Sequence, residues 1–454
     1  MKRNDRVECA IASLAFGGRG VARLDGRVIF VEGAVPGQTV LAEVTKVGKR
    51  FAEASAVEVL VQSPDFVEPF CRHFGECGGC SHQDMAYAAQ LREKETQVRD
   101  AMRRIGCLEF ESVEPILPSP NERRYRNKME FAFAGRGQGL ELGLRERGGK
   151  RVVDLATCHL VHEDAVAVLH EARAFCAGTG IPAYDPKTRK GFWRHLVVRR
   201  SEASGELMAH LITAPEPSAF EAAEALGKAL AETLDLDRFV HSTRRSNAEI
   251  AFGEHEVAVL GGRRIEERIA VGGRELRYAL SADAFFQPNS GAAAALYETV
   301  LDFAGLTGTE KVLDLYCGTG GIGLALAGSA GSVAGVELSE AAVADARLNA
   351  RLNGLTNCTF TALDLESEPA TLTTLDTFAR PDVIVTDPPR GGLSVEVCDA
   401  IRALAPERIV AVSCDPPALA RDAARLGYRA LRLRAVDQFP HTPHVECVAL
   451  LGRP

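Results

Sequence analysis

The sequence predicts an α/β architecture: a C-terminal doubly wound, mostly parallel sheet of Rossmann-like kind, preceded by an N-terminal OB-like β-barrel and a mixed α+β central region. Three observations carry that prediction. From about Gly291 onward the chain repeats strand, glycine turn and helix, the rhythm of βα units that builds a parallel sheet. Residues 1–61 instead hold short β segments punctuated by glycine, the pattern of a small barrel. Between them the periodicity is mixed, with a cysteine-rich loop and a polar helical stretch. The divisions are placed at 1–61, 62–285 and 286–454; a chain of 454 residues has the core volume for two to four domains.

In the N-terminal part, strands are expected over Val7–Leu14, Arg27–Val31, Thr39–Val44 and Ala54–Val61. Gly17-Gly18-Arg19-Gly20, with Val31-Glu32-Gly33-Ala34-Val35-Pro36-Gly37, resembles the TRAM domain, and the resemblance implies an RNA-binding barrel. After the cysteine-rich loop Cys71–Cys80, a helix is predicted from about Gln83 to Arg104, with Leu91, Val98, Met102 and Ile105 on its inner face. Met129–Phe133 and Leu196–Arg199 read as strands, and Ser218–Glu232 as a helix.

The C-terminal region opens its βα series with the strand Lys311–Tyr316 and the turn Gly318–Gly323. Ser332–Glu337, Asp382–Thr386 and Arg408–Val412 are later strands. In such a sheet ligands bind beyond the carboxyl ends of the strands. A glycine-rich turn alone is shared by nucleotide and flavin sites. Glu337, ending the second strand, is placed to accept hydrogen bonds from ribose hydroxyls. Asp364 after the third strand and Asp387-Pro388-Pro389-Arg390 after the fourth give a layout that resembles class I methyltransferases, and so point to S-adenosyl-L-methionine rather than NAD. Cys317, inside the turn, reads as a packed small residue.

Val412-Ser413-Cys414-Asp415-Pro416 places a thiol at a strand-to-helix turn, and His441-Thr442-Pro443-His444-Val445-Glu446 leads a carboxylate into a final strand. A lone cysteine at a strand end is ordinarily a small buried hydrophobe, and a lone glutamate ordinarily solvated. Together they suit methylation at C5 of a pyrimidine. Uracil C5 is a poor nucleophile until a thiolate adds at C6 and turns the ring into an enolate. After methyl transfer a base must remove the C5 proton so that the thiolate can leave. Asp415-Pro416 reads as helix N-cap and first helical residue, a setting expected to favour the thiolate.

These motifs, with Phe286-Gln287-Pro288-Asn289 and Asp387-Pro388-Pro389-Arg390-Gly391-Gly392-Leu393, resemble the RNA 5-methyluridine methyltransferase family in order and spacing across nearly the whole chain. The resemblance implies Cys414 as nucleophile, Glu446 as base, and donor contacts from Gln287, Tyr316, Gly321, Glu337, Asp364 and Asp387. At Gly321 many relatives carry an amide or hydroxyl side chain, so only a backbone contact is expected there.

Cys71, Cys77 and Cys80 could share a metal with one further thiolate, a ligand set that suits zinc or an iron–sulfur cluster. Spacing alone does not choose between Cys107 and Cys158 as the fourth ligand. By resemblance to cluster-bearing members of the same family, the group is a [4Fe-4S] cluster held by Cys71, Cys77, Cys80 and Cys158, with a structural role. Cys9, Cys176, Cys358 and Cys398 read as packing.

The net charge of −8 argues against a nucleic-acid partner, but its distribution does not. Residues 121–200 hold 16 Lys/Arg against 9 Asp/Glu, whereas residues 291–454 hold 13 against 20, a split that marks a nucleic-acid-facing segment. Arg123–Lys128, and Lys187–Arg200 with Phe192 and Trp193, interleave cations with aromatics, as RNA surfaces do; a core role for Trp193 fits equally. A base within RNA structure must be extruded to reach Cys414. No apolar run approaches the roughly 20 residues of a membrane span, and no signal peptide opens the chain. A cytoplasmic monomer acting on RNA, with no membrane partner, is therefore expected. Family analogy favours 23S ribosomal RNA, with the transfer-RNA T-loop as alternative. Two other readings are a non-catalytic RNA-binding protein, which needs neither Cys414 nor Glu446, and an amino-group methyltransferase, which needs no thiol.

Overall fold

The computed structural model describes residues 1–374 and 380–454. Its N-terminal sheet is built from β1 (Arg6–Ala10), β2 (Ser13–Leu14), β3 (Gly20–Leu24), β4 (Arg27–Glu32), β5 (Thr39–Val47) and β6 (Phe51–Val61), in the order β1-β5-β6-β4-β3-β2. Alternation explains the layer: Val40, Ala42 and Val44 of β5 are buried while their neighbours are not. The β5–β6 pairing shifts register at three points, bulges of the kind that coil a sheet toward a barrel.

Helix α1 (Tyr87–Ala101) runs on into a π-turn, Met102–Gly106. Val98 and Met102 are buried as expected, but Ile105 is 51% exposed. The i→i+5 bonding of the π-turn breaks the 3.6-residue phase on which the predicted inner face rested. β7 (Ser112–Val113) then joins the far edge of the C-terminal sheet, parallel to β22.

The central sheet contains β8 (Lys128–Ala134), β9 (Glu141–Arg145), β10 (Val152–Asp154), β11 (Trp193–Arg200), β12 (Leu207–Thr213), β13 (Arg238–Thr243) and β14 (His255–Leu260), ordered β10-β9-β8-β11-β12-β13-β14. Helices α2 (Glu163–Thr179) and α3 (Phe220–Leu234) pack on it. Of the two readings of Trp193 the core one holds, and Phe192 beside it is core rather than RNA surface: they are 0% and 2% exposed. The two rings meet edge to face at 4.7 Å. Arg194 and Arg199 on the same strand are also buried; Arg194 binds the carbonyls of Arg244, Ser246 and Ala248, and Arg199 that of Ala284. Arg123, Arg124, Lys187, Arg189 and Lys190 do face solvent.

A hairpin, β15 (Arg264–Val271) with β16 (Arg274–Ser281), shares its apolar face with the C-terminal core. That core is built from α4 (Ser290–Ala304), β17 (Lys311–Leu315), α5 (Gly321–Ala327), β18 (Ser332–Glu337), α6 (Glu340–Leu352), β19 (Cys358–Ala362), α7 (Thr371–Thr374), β20 (Val383–Thr386), α8 (Val395–Leu404), β21 (Arg408–Ser413), α9 (Pro416–Leu426), β22 (Arg429–Val436) and β23 (Glu446–Gly452). The order is β19-β18-β17-β20-β21-β23-β22-β7, with β19 to β21 mutually parallel and β23 antiparallel to both neighbours. The strands read as continuous apolar runs because helices cover both faces. The order reverses between β17 and β20, and a crevice opens there above the carboxyl ends. Among the described residues, no helix is long and apolar enough to cross a membrane.

Candidate active site

A cleft of about 1600 Å³ lies over those strand ends, walled on its far side by the central sheet. It exceeds the roughly 300–1,000 Å³ of an ordinary ligand pocket, which leaves room for a cofactor and a second substrate. Gln287, Tyr316, Gly321, Glu337, Asp364, Asp387, Cys414 and Glu446 all line it. The residues named from sequence are thus brought together.

On the donor side the chain turns sharply after β17. Tyr316 takes a left-handed φ of 62°, Gly318 and Gly320 follow with positive φ, and the Cys317 amide donates to the Val336 carbonyl. Glu337 accepts from the Gly318 amide at 3.2 Å and from the Ser339 amide at 2.9 Å, which fixes its carboxylate at the end of β18. Asp364 is committed to its own turn: it accepts from the Glu366 and Ser367 amides and the Ser367 hydroxyl. Tyr316 donates to Glu366 at 2.8 Å. Gln287 donates to Asp387 at 3.3 Å, and Asn289 caps α4 by accepting from the Ala292 amide.

Asp314, at the end of β17, was not singled out from sequence. It is fully buried, and among the described residues neither carboxylate oxygen meets a partner in good hydrogen-bond geometry. Burial, with Asp387 beside it, raises its pKa to about 8. Asp387 keeps an edge toward the cleft, yet its enclosure raises it to about 7. Two crowded carboxylates without a counter-cation fit a ligand of net positive charge. S-adenosylmethionine, with a sulfonium, an ammonium and one carboxylate, is such a ligand.

On the target side, Cys414 leaves β21 half-buried, and Asp415 caps α9 by accepting from the Ala418 amide at 2.8 Å. The predicted cap and Pro416 position are as observed. The expected effect on the thiol is reversed. Burial, then Glu446, push the Cys414 thiol up to about 11, against the opposing pull of Arg390. Burial is the main cause, with the carboxylates of Glu446, Asp387 and Asp415 adding to it.

Glu446 opens β23 at 4% exposure, with Oε2 unpartnered among the described residues, and burial raises its pKa well above the carboxylate range. Arg390 lies beside His444 at 3.3 Å, and burial, then Arg390, hold His444 down near 4. Arg390 is the cation that opposes the rise of the Cys414 thiol, a role its place after Asp387-Pro388-Pro389 did not reveal. The loop before Glu446 is held from outside. The carbonyl of His441 accepts from the Ser81 and His82 amides, and Lys94 binds Asp437 at 2.7 Å with both side chains buried. The barrel reaches the same loop, since a Cβ on Gly18 would meet Pro443 at 3.1 Å and His82 at 3.0 Å.

Cys71, Cys77, Cys80 and Cys158 line one small separate hollow. Cys107 is exposed and does not line it, so the fold itself groups Cys158 with the other three. Burial raises the Cys80 thiol to about 12. Among the described residues, no three His, Cys, Asp or Glu side chains are drawn close enough to hold a single ion. The four thiols share that small hollow with His73. Cys9, Cys176 and Cys398 are packed in cores, and Cys317 is 7% exposed at the floor of the cleft.

Residues 243–454 match the family described as tRNA (Uracil-5-)-methyltransferase, and residues 2–57 match the TRAM domain. A Nitratidesulfovibrio vulgaris protein, known as an uncharacterized RNA methyltransferase, is 43% identical across 98% of this chain and 96% of its own length. A Geobacter sulfurreducens protein of similar description is 39% identical across 99% of this chain and 90% of its own. Among solved structures, the Pyrococcus abyssi tRNA (uracil-54, C5)-methyltransferase in complex with S-adenosyl-L-homocysteine superposes with a TM-score of 0.75 at 28% identity. That match covers 98% of this chain and 100% of the other.

Proposed function

Because the chain belongs to the tRNA (uracil-5-)-methyltransferase family and carries its TRAM domain, we propose that it methylates C5 of a uridine in 23S ribosomal RNA, with Cys414 as nucleophile and Glu446 as base. The donor is S-adenosylmethionine. The observation that carries the reading is the convergence of Cys414, Glu446 and Asp387 on one cleft at the carboxyl ends of β20, β21 and the start of β23.

The steps follow from those groups. An extruded uracil enters over Cys414. The Cys414 thiolate, formed against its raised pKa with Arg390 as the nearby cation, adds to C6, and the electron pair moves onto O4 as an enolate. C5 then attacks the sulfonium methyl; the carbon–sulfur bond of the donor breaks and S-adenosylhomocysteine forms. Glu446 as carboxylate takes the C5 proton, C5=C6 re-forms, and the Cys414 thiolate leaves. A carboxylate whose pKa burial has raised is the stronger base for that proton. Gln287 and Asp387, joined by their hydrogen bond, face the donor, Glu337 its ribose, and Tyr316, Gly321 and Asp364 complete the donor wall.

Cys71, Cys77, Cys80 and Cys158 hold a [4Fe-4S] cluster in this reading. The group would supply a covalent tie between the 71–80 loop and the 158 turn.

The ribosomal substrate rests on the four-cysteine site together with the N-terminal barrel, by resemblance to the ribosomal branch. A second reading, methylation of a transfer-RNA loop, is favoured by the end-to-end likeness to the Pyrococcus abyssi enzyme. Nucleoside mass spectrometry of separated 23S and transfer RNA, from cells with and without the gene, decides between them. Loss of 5-methyluridine from 23S RNA is expected. Loss from transfer RNA alone would overturn the substrate and keep the chemistry, and loss from neither would favour a non-catalytic RNA-binding protein.

A further inference from the structure

Gly321 sits in the wall of the donor cleft, where a polar side chain would be useful. Its φ is not positive, so its backbone conformation does not require glycine. What excludes a side chain is Tyr297. A Cβ at position 321 would press on the Tyr297 hydroxyl more closely than any real contact allows, and would meet the ring carbon behind it at 3.2 Å. The Gly321 carbonyl is turned away and fixed, accepting from the Tyr278 hydroxyl at 3.0 Å.

Tyr297 belongs to α4, a helix that begins Ser290-Gly291-Ala292-Ala293-Ala294-Ala295-Leu296. Its side chain is 2% exposed and lines the cleft. Its hydroxyl stands in the cleft wall at the place a side chain of residue 321 would take. Its charged neighbours are Asp387 and Asp314.

Strand order says which end of the donor lies there. Glu337 and Asp364 follow β18 and β19, on one side of β17, and so take the ribose and adenine end. Cys414 follows β21, on the other side, so the sulfonium and the amino-acid end lie over β17 and β20. Asp314, Asp387 and Tyr297 occupy that second position.

We propose that Tyr297 is a donor-binding residue whose hydroxyl stands in for the side chain absent at Gly321 and hydrogen-bonds the amino-acid end of S-adenosylmethionine. The proposal concerns the donor alone and is independent of which RNA is methylated.

Calorimetric binding without RNA tests it, using S-adenosylhomocysteine and 5′-methylthioadenosine, which lacks the amino-acid end. Tyr297→Phe is expected to weaken S-adenosylhomocysteine about tenfold, the worth of one hydrogen bond to a charged group, and to leave methylthioadenosine unchanged. Gly321→Ser alone is expected to weaken S-adenosylhomocysteine by displacing Tyr297. Combined with Tyr297→Phe, it is expected to recover most of the affinity, because the phenyl ring leaves space for the serine hydroxyl. Unchanged S-adenosylhomocysteine binding in Tyr297→Phe, equal weakening of both ligands, or a double variant weaker than either single one would overturn the assignment.

Discussion

Cys414 is a resting thiol rather than a preformed thiolate. With its pKa pushed up to about 11 by burial and by Glu446, only about one molecule in ten thousand carries the thiolate at neutral pH. kcat/KM, which reports ionisations of the free enzyme, is therefore expected to climb steadily from neutral pH toward about 11, without a plateau near 8.5. A pH–rate profile with a plateau there would show that RNA-free Cys414 is already activated. Asp314 gives a second consequence. Its folded-state pKa of about 8 lies above its ordinary value of 3.8, so the folded state holds the proton more tightly. The stability this contributes is present below about pH 4 and is lost as pH rises through about 8. Asp314→Asn, which needs no proton, is expected to melt higher than the wild type at about pH 9 and to lose that advantage near pH 4, with donor absent. At this scale Cys414, Glu337 and Asp387 were legible as short motifs beside strand ends. The direction of the thiol's shift was not, because it depends first on burial and then on Glu446, both of which only folding brings about.

Helix α1 pins the loop that delivers Glu446. Lys94 meets Asp437 at 2.7 Å with side-chain exposures of 3% and 0%, Tyr87 donates to the same carboxylate at 2.8 Å, and Gln90 donates to the carbonyls of His82 and Met85. Removing one partner of such a pair strands a buried charge, at a cost of about 3–5 kcal/mol. Lys94→Met is expected to lower the denaturation midpoint accordingly and to lower kcat with donor affinity preserved; an unchanged midpoint would mean the pair carries no weight. The pairing joins residues 343 positions apart, and no local pattern announces it. The βα series of the C-terminal sheet was read correctly, from glycine turns and continuous apolar strands. β11 was read correctly as a strand, but the RNA-facing reading failed within it: Arg194 and Arg199 serve backbone carbonyls and Trp193 the core. The inner face of α1 was misread only where the π-turn shifts its phase.

Over the whole molecule, three parts meet at the loop before Glu446: the barrel through Gly18, the central region through Ser81 and His82, and the C-terminal sheet through β22 and β23. The order of these parts was visible in the sequence, as glycine punctuation, a cysteine loop and a βα rhythm. Their convergence was not, since it is made by contacts between distant segments. The four-cysteine hollow lies next to this junction, Cys80 preceding Ser81 in the chain. Protein isolated without oxygen is expected to contain iron and acid-labile sulfide in near-equal amounts, and Cys158→Ala to lose both; stoichiometric zinc instead would overturn the cluster. The covalent mechanism itself is tested most directly by trapping its intermediate. If Glu446 removes the C5 proton, Glu446→Gln should stall after methyl transfer, with RNA still bound through Cys414. Incubated with S-adenosylmethionine and 23S RNA, Glu446→Gln is expected to yield a protein–RNA species that survives denaturing electrophoresis, absent from Cys414→Ala and from the Cys414→Ala/Glu446→Gln double variant. An adduct that persists without Cys414, or no adduct with steady turnover by Cys414→Ala, would contradict the assignment.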